Sequence, residues 1–190
     1  MKLFWLLSLF AIGLAGCGGA ALQPKASATR PVSSPTPSAL LPDLGPAPEL
    51  TNTVWLNTDH PLRLADLRGK VVLLDMWTFE CINCQHVIPS LRNWYNQYKD
   101  QGLVIIGNHF PEFAYERDLN NLVKAVADLN VPYPVDQDND GATWNAYHNQ
   151  YWPTMYLIDK RGHLRYTRIG EGGYATTESA IRTLLAESYP

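Results

Sequence analysis

The chain has 190 residues, 46% of them hydrophobic and 17% charged, with a formal net charge of −3. That is the composition of an ordinary folded protein, and a small negative charge gives no footing for nucleic acid or an anionic lipid surface as partner.

The first residues read as an export signal. Met1-Lys2 brings one positive charge, Leu3 to Leu14 is apolar apart from Ser8 and Gly13, and Leu14-Ala15-Gly16-Cys17 sets small residues before a cysteine, as in a lipoprotein lipobox. The apolar stretch falls short of the ~20 residues a bilayer span requires. Residues 1–16 are therefore expected to be a signal peptide, and Cys17 the lipidated start of the mature chain, withdrawn from redox chemistry. From Gly18 to about Pro48 the chain is rich in Ala, Ser, Thr and Pro, with seven of its fourteen prolines between Pro24 and Pro48. Such a segment buries too little apolar surface to offset its ordering entropy, so residues 17–48 read as a disordered tether. Residues 49–190 have the length of one domain with a single core. No internal repeat is evident.

Within that domain Val54 to Leu56 reads as a short strand and Leu62 to Leu67 as a turn of helix closed by Gly69. Val71 to Trp77 opens with four apolar residues, a buried strand. Val87, Ile88, Leu91, Trp94, Tyr95 and Tyr98 recur at helical spacing, with Arg92, Asn96 and Lys99 on the opposite side. Leu103 to Gly107 is the next strand. Glu116 to Leu129 reads as a helix with Leu119, Leu122, Val123, Val126 and Leu129 on its apolar face, and strand, helix, strand implies a right-handed parallel crossover. Tyr133 to Val135 reads as a strand, Trp144 to His148 as a short helix, and Thr154 to Ile158 with His163 to Ile169 as a hairpin whose left-handed position Gly162 suits. Thr177 to Ser188 is the last helix.

The chemistry collects around Val71 to Cys84, VVLLDMWTFECINC. Asp75 ends a buried strand, where a carboxylate is costly unless satisfied or protonated. Cys81 and Cys84 stand three apart at a helix start, close enough to form a disulfide, and the helix N-terminus favours the thiolate of the first. Cys81 then attacks, Cys84 resolves, and Asp75 takes the Cys84 proton through a water.

Asp75 to Cys84 resembles the active-site segment of the thioredoxins, with the acid six residues before the first cysteine, Trp77 on the strand and Pro89 eight residues after Cys81. Trp152-Pro153-Thr154 resembles their cis-proline loop. Within that superfamily the chain is similar to the membrane-tethered TlpA, ResA and DipZ type, and most of all to the DipZ group, through GKVVLLDMWTFECINC, YPVDQDNDGATWNAY, YWPTMYLIDKRG and GEGGY. The resemblance runs over roughly residues 50 to 190. It implies a thioredoxin fold, a mixed sheet flanked by helices, with a TlpA-type α/β insertion. It implies an enzyme without a cofactor, a monomeric thiol-disulfide oxidoreductase on the extracytoplasmic side of a bacterial membrane. A membrane donor of the CcdA or DsbD kind would keep it reduced, and its clients would be protein disulfides such as apocytochrome cysteines, misoxidised envelope proteins or a peroxidase. It also implies a cis bond before Pro153, with Trp77, Trp152 and Thr154 around the client strand.

Other roles stay open at this level. Glu80 would disfavour the neighbouring thiolate or simply be a solvated helix-start glutamate. His109 and Glu112 follow the LVIIG strand, where the matching segment of the DipZ group lies near the site. Haem attachment fails because Gln85 follows Cys84, and Asp136 to Gly141 imitates a calcium loop but has Tyr147 where a glutamate is required. Zinc lacks a second CxxC. Two rival functions remain, a peroxiredoxin-like peroxidase through Thr78-Phe79-Glu80-Cys81, although Leu74 stands where that motif has proline, and a copper- or thiol-binding module using the cysteines and a histidine.

Overall fold

The computed structural model describes residues 41–189. The expected signal peptide, Cys17 and most of the tether lie outside the described residues.

The VVLL run becomes the centre of the sheet. Strands β1 (Trp55–Leu56), β2 (Val71–Trp77), β3 (Leu103–His109), β4 (Val135–Gln137), β5 (Thr154–Ile158) and β6 (Leu164–Ile169) lie in the order β1-β4-β3-β2-β5-β6. β2 runs parallel to β3 and β3 parallel to β4, while β5 and β6 pair antiparallel. Every residue of β2 is buried, as a strand covered on both faces must be. On one face Val71, Leu73 and Trp77 pack with α1 (Ile82–Tyr98), α2 (Leu119–Asp128) and α4 (Tyr174–Ala186) through Val87, Ile88, Leu91, Trp94, Leu122, Ile181 and Leu184. On the other, Val72, Leu74 and Met76 meet Leu50, Leu64 and, from α3 (Ala142–Ala146) and beyond, Trp144 and Tyr147. This is the mixed sheet and α/β arrangement the sequence implied. No helix among the described residues is long and apolar enough to cross a membrane.

Several expectations shift. The helix expected over Glu116 to Leu129 is divided, a 3-10 turn at Ala114–Arg117 and then α2, because the Asp118 carboxylate accepts the Asn120 N–H at 2.8 Å and caps a new start. Its apolar face is narrower than the sequence implied: Leu122 and Val126 are buried, whereas Leu119 and Val123 are exposed. β4 lies two residues beyond the expected Tyr133–Val135, and α4 begins three residues before Thr177. The segment 41–48, read as part of the tether, is held to β6. Leu44 N–H donates to Leu164 O and Ala47 N–H to Gly162 O, both at 2.9 Å. Buried Arg165 donates to the carbonyls of Leu41 (2.7 Å) and Pro42 (2.9 Å). Gly162 takes the left-handed conformation, φ 81°, that its hairpin requires.

Candidate active site

β2 delivers Asp75 and Trp77 to the end of the sheet where the chain turns into α1. Alternation along the strand aims both toward α1. Cys81 is the N-cap of that helix and partly exposed, its carbonyl accepting the Gln85 N–H at 3.0 Å. One turn in, Cys84 is buried at 1% exposure. Both are free thiols. Burial pushes the Cys84 thiol far above the ordinary range, and the Asp75 charge and the bond with Cys81 add to that. Asp75 is itself 1% exposed, its Oδ1 has no partner among the described residues, and burial raises its pKa to about 7. A carboxyl able to change charge near neutrality thus sits within electrostatic reach of the inner thiol.

The Trp152–Pro153 bond is cis. Thr154 pairs with Met76, so Pro153 comes level with Trp77 at the edge of the cysteine site. Neither the N–H nor the C=O of Trp152 has a hydrogen-bond partner among the described residues, which leaves one backbone edge open there. The Trp152 ring lies 5.8 Å from Phe110 and 4.5 Å from Trp144. Ile82, inside the CxxC, and Tyr151, next to the cis bond, are large exposed apolar side chains.

The other expected residues divide. Trp77 is buried, edge-on to His109 at 5.5 Å, and Thr154 is buried with its hydroxyl donating to Tyr151 O at 2.8 Å, so neither presents a side chain at the surface. Glu80 and Glu112 are exposed. His109 is fully buried, stacked on Phe79 at 5.2 Å, and burial lowers its pKa to about 4, so it is neutral at physiological pH. Glu112 approaches only through its backbone N–H, which donates to Glu116 at 2.7 Å. His109 thus meets the site by its buried ring and Glu112 by its backbone alone.

Glu116 is the residue that spacing did not single out. At the head of an apolar-periodic stretch it reads as a solvated helix-start acid, yet it is 0% exposed and accepts from Thr78, Glu80, Glu112 and Phe113. Nothing in the local pattern distinguishes the two situations.

A CxxC at the head of a helix, a buried acid beneath its second cysteine and a cis-proline alongside, all on this sheet, are the marks of the thioredoxin-like thiol-disulfide oxidoreductases. Residues 45–167 match the AhpC/TSA family, and the chain belongs to it. It is 48% identical over 156 residues to protein DipZ of Mycobacterium bovis, a match covering 80% of this chain and 22% of that protein. The chain thus spans about a fifth of the DipZ proteins it matches. It is 30% identical to the thiol-disulfide oxidoreductase YkuV of Bacillus subtilis over 144 residues, 75% of this chain and 96% of YkuV. Among solved structures it is similar to a thioredoxin-like superfamily protein, with a TM-score of 0.72, 30% identity, and coverage of 77% of this chain and 99% of the other.

Proposed function

We propose that this chain exchanges disulfides with extracytoplasmic protein clients through Cys81 and Cys84, working as a reductase while tethered to a membrane by a lipid on Cys17. The observation that carries the reading is the asymmetry of the two thiols: Cys81 is partly exposed at the helix start, and Cys84 is buried beside an acid that titrates at about 7. Cys81 thiolate attacks a client disulfide, forming one S–S bond to the client and releasing the client's other sulfur as a thiolate. Cys84, losing its proton to Asp75 through a water, then attacks Cys81, so that the client leaves as a dithiol and the protein carries the Cys81–Cys84 disulfide. Two electrons from a membrane donor of the CcdA or DsbD kind restore the dithiol.

The client would lie extended against the open backbone edge of Trp152, beside Pro153, as an added strand. Ile82 and Tyr151 give that strand apolar contacts, while Trp77 and Thr154 support the groove from within. On this reading residues 1–16 are a signal peptide, the tether runs from Cys17 to about residue 40, and the working unit is a monomer. The peroxidase alternative draws on the family match, but Thr78, the threonine of its TxxC half-motif, has its hydroxyl committed to buried Glu116.

Trapping separates the roles. Cys84→Ser should accumulate covalent client adducts that reductant releases, and Cys81→Ser should trap far fewer. Equal trapping by the two variants would refute the assignment. Turnover in an insulin-disulfide reduction assay, set against consumption of hydrogen peroxide, distinguishes the oxidoreductase from the peroxidase and from a copper-binding module that turns over neither.

A further inference from the structure

The turn from Thr78 to Glu80 carries the attacking cysteine, and it belongs to no helix or strand. What holds it is a carboxylate from a different part of the chain. Glu116 is 0% exposed, and its two oxygens take four hydrogen bonds. Oε1 accepts the Thr78 hydroxyl and the Glu80 N–H, the latter at 3.2 Å. Oε2 accepts the N–H groups of Glu112 and Phe113, both at 2.7 Å. One side chain therefore fastens the turn before Cys81 to the loop after β3. Buried carboxylates satisfied this fully are rigid, and removing one leaves several polar groups unpaired at once.

The network reaches one residue further. With its proton given to Glu116, the Thr78 oxygen is left to accept, and His109 Nε2 lies 3.3 Å away. The neutral ring then carries its proton on Nε2, and Nδ1, buried and without a partner among the described residues, is bare. That ring is wedged between Phe79, stacked at 5.2 Å, and Trp77, edge-on at 5.5 Å. The aromatic packing beneath the turn is thus keyed to the same carboxylate.

We infer that Glu116, acting through Thr78 and His109, is a positioning residue for the attack step, holding the Thr78–Glu80 turn so that Cys81 is presented in one geometry. It touches neither cysteine. Its effect is on where the Cys81 sulfur sits when a client disulfide arrives, and small misplacements of a reacting atom are expensive in rate. The inference rests on Cys81 being the attacking thiol.

The test uses Thr78→Val, which deletes the hydroxyl and nearly keeps the shape, Thr78→Ser, which restores it, and Glu116→Gln. Single-turnover attack on a disulfide-bonded peptide should slow about 10- to 100-fold in Thr78→Val and Glu116→Gln. It should recover to within about threefold of wild type in Thr78→Ser. The pH dependence of resolution, set by Asp75, should stay as in wild type in all three. A long-range proton–nitrogen spectrum should show the Nε2-protonated form of His109 in wild type and Thr78→Ser, and lose that preference in Thr78→Val. Thr78→Val decides the matter even where Glu116→Gln does not fold. Wild-type attack in Thr78→Val, or slowed attack that Thr78→Ser fails to restore, overturns the inference. Unimpaired adduct formation by Cys81→Ser overturns instead the assignment of the nucleophile on which it rests.

Discussion

Asp75 and Cys84 hold each other in check beneath the active-site helix. After burial, the Asp75 charge is the largest influence keeping the proton on the Cys84 thiol, and Asp75 is itself held to a pKa of about 7 by burial. Neither group ionises easily while the other is charged, so Cys84 stays a thiol until Asp75 takes its proton for the attack on Cys81. Resolution of the mixed disulfide should therefore accelerate as pH rises through about 7, where Asp75 becomes available as a base. Asp75→Asn should leave the attack by Cys81 near its wild-type rate and slow resolution by roughly 10²- to 10⁴-fold at neutral pH, the usual worth of a general base. Stopped-flow measurement of each step checks this; slowing confined to attack would exclude Asp75 as the base.

The lipid anchor is tested outside the fold. Cys17→Ser should give an uncleaved precursor, or a product that no longer partitions into detergent. Unchanged partitioning in a phase-separation assay would remove the tethering reading.

What the sequence made legible was what local pattern encodes. The run Val71 to Leu74 could only be a buried strand, the recurrence of Val87, Leu91 and Trp94 could only face a sheet, and Cys81 to Cys84 with Asp75 upstream marked the site. The parts that failed depend on partners distant in the chain. Asp136 lies buried inside β4 because Asn108 donates to it at 2.6 Å from the adjoining strand, a pairing no reading of Asp136-Gln137-Asp138 supplies, so the apolar residues before it read as the strand instead. Residues 41–48 look like more of the proline-rich tether, and their order comes from Arg165, more than a hundred residues away. Glu116 is the same case at the site itself.

Gly107 offers a test of how closely the sheet is fitted to the site. It pairs with Asp75 across β2 and β3, and a Cβ there would lie 2.8 Å from Trp77 Nε1 and 3.4 Å from a Val135 methyl. The indole of a fully buried tryptophan has no free space to retreat into. Gly107→Ala should lower stability by about 1–3 kcal/mol, the usual cost of overpacking, and shift the indole N–H resonance of Trp77. An unchanged resonance with wild-type stability would mean the ring moves freely.

Stability against pH carries two opposed slopes from groups buried on the sheet. Asp75, raised from 3.8 to about 7, is protonated in the folded state where the unfolded chain has lost its proton, so the stability it gives at low pH is lost as pH rises through about 7. Asp136, raised to about 8 with burial as the leading cause, acts in the same direction. His109, lowered by burial from 6.5 to about 4, runs the other way: the unfolded chain binds the extra proton, so its stability is present above 6.5 and lost as pH falls through about 4. Between pH 4 and 6.5 the slopes partly cancel, and above 6.5 only the carboxylates remain. Wild-type stability should therefore fall from about pH 4 to 8, by about 1.4 kcal/mol per pH unit up to 6.5, where two carboxylates outweigh one histidine. Asp75→Asn should match wild type near pH 4 and exceed it by on the order of 4 kcal/mol at pH 8, since each pKa unit separating the folded from the unfolded carboxyl is worth about 1.4 kcal/mol. His109→Phe should lose the compensating slope, so that its stability falls about twice as steeply as wild type between pH 4 and 6.5. Urea denaturation of the reduced protein at pH 4.5, 6.5 and 8 measures all three curves, and an Asp75→Asn curve parallel to wild type would show that Asp75 does not titrate in the folded state as its burial dictates.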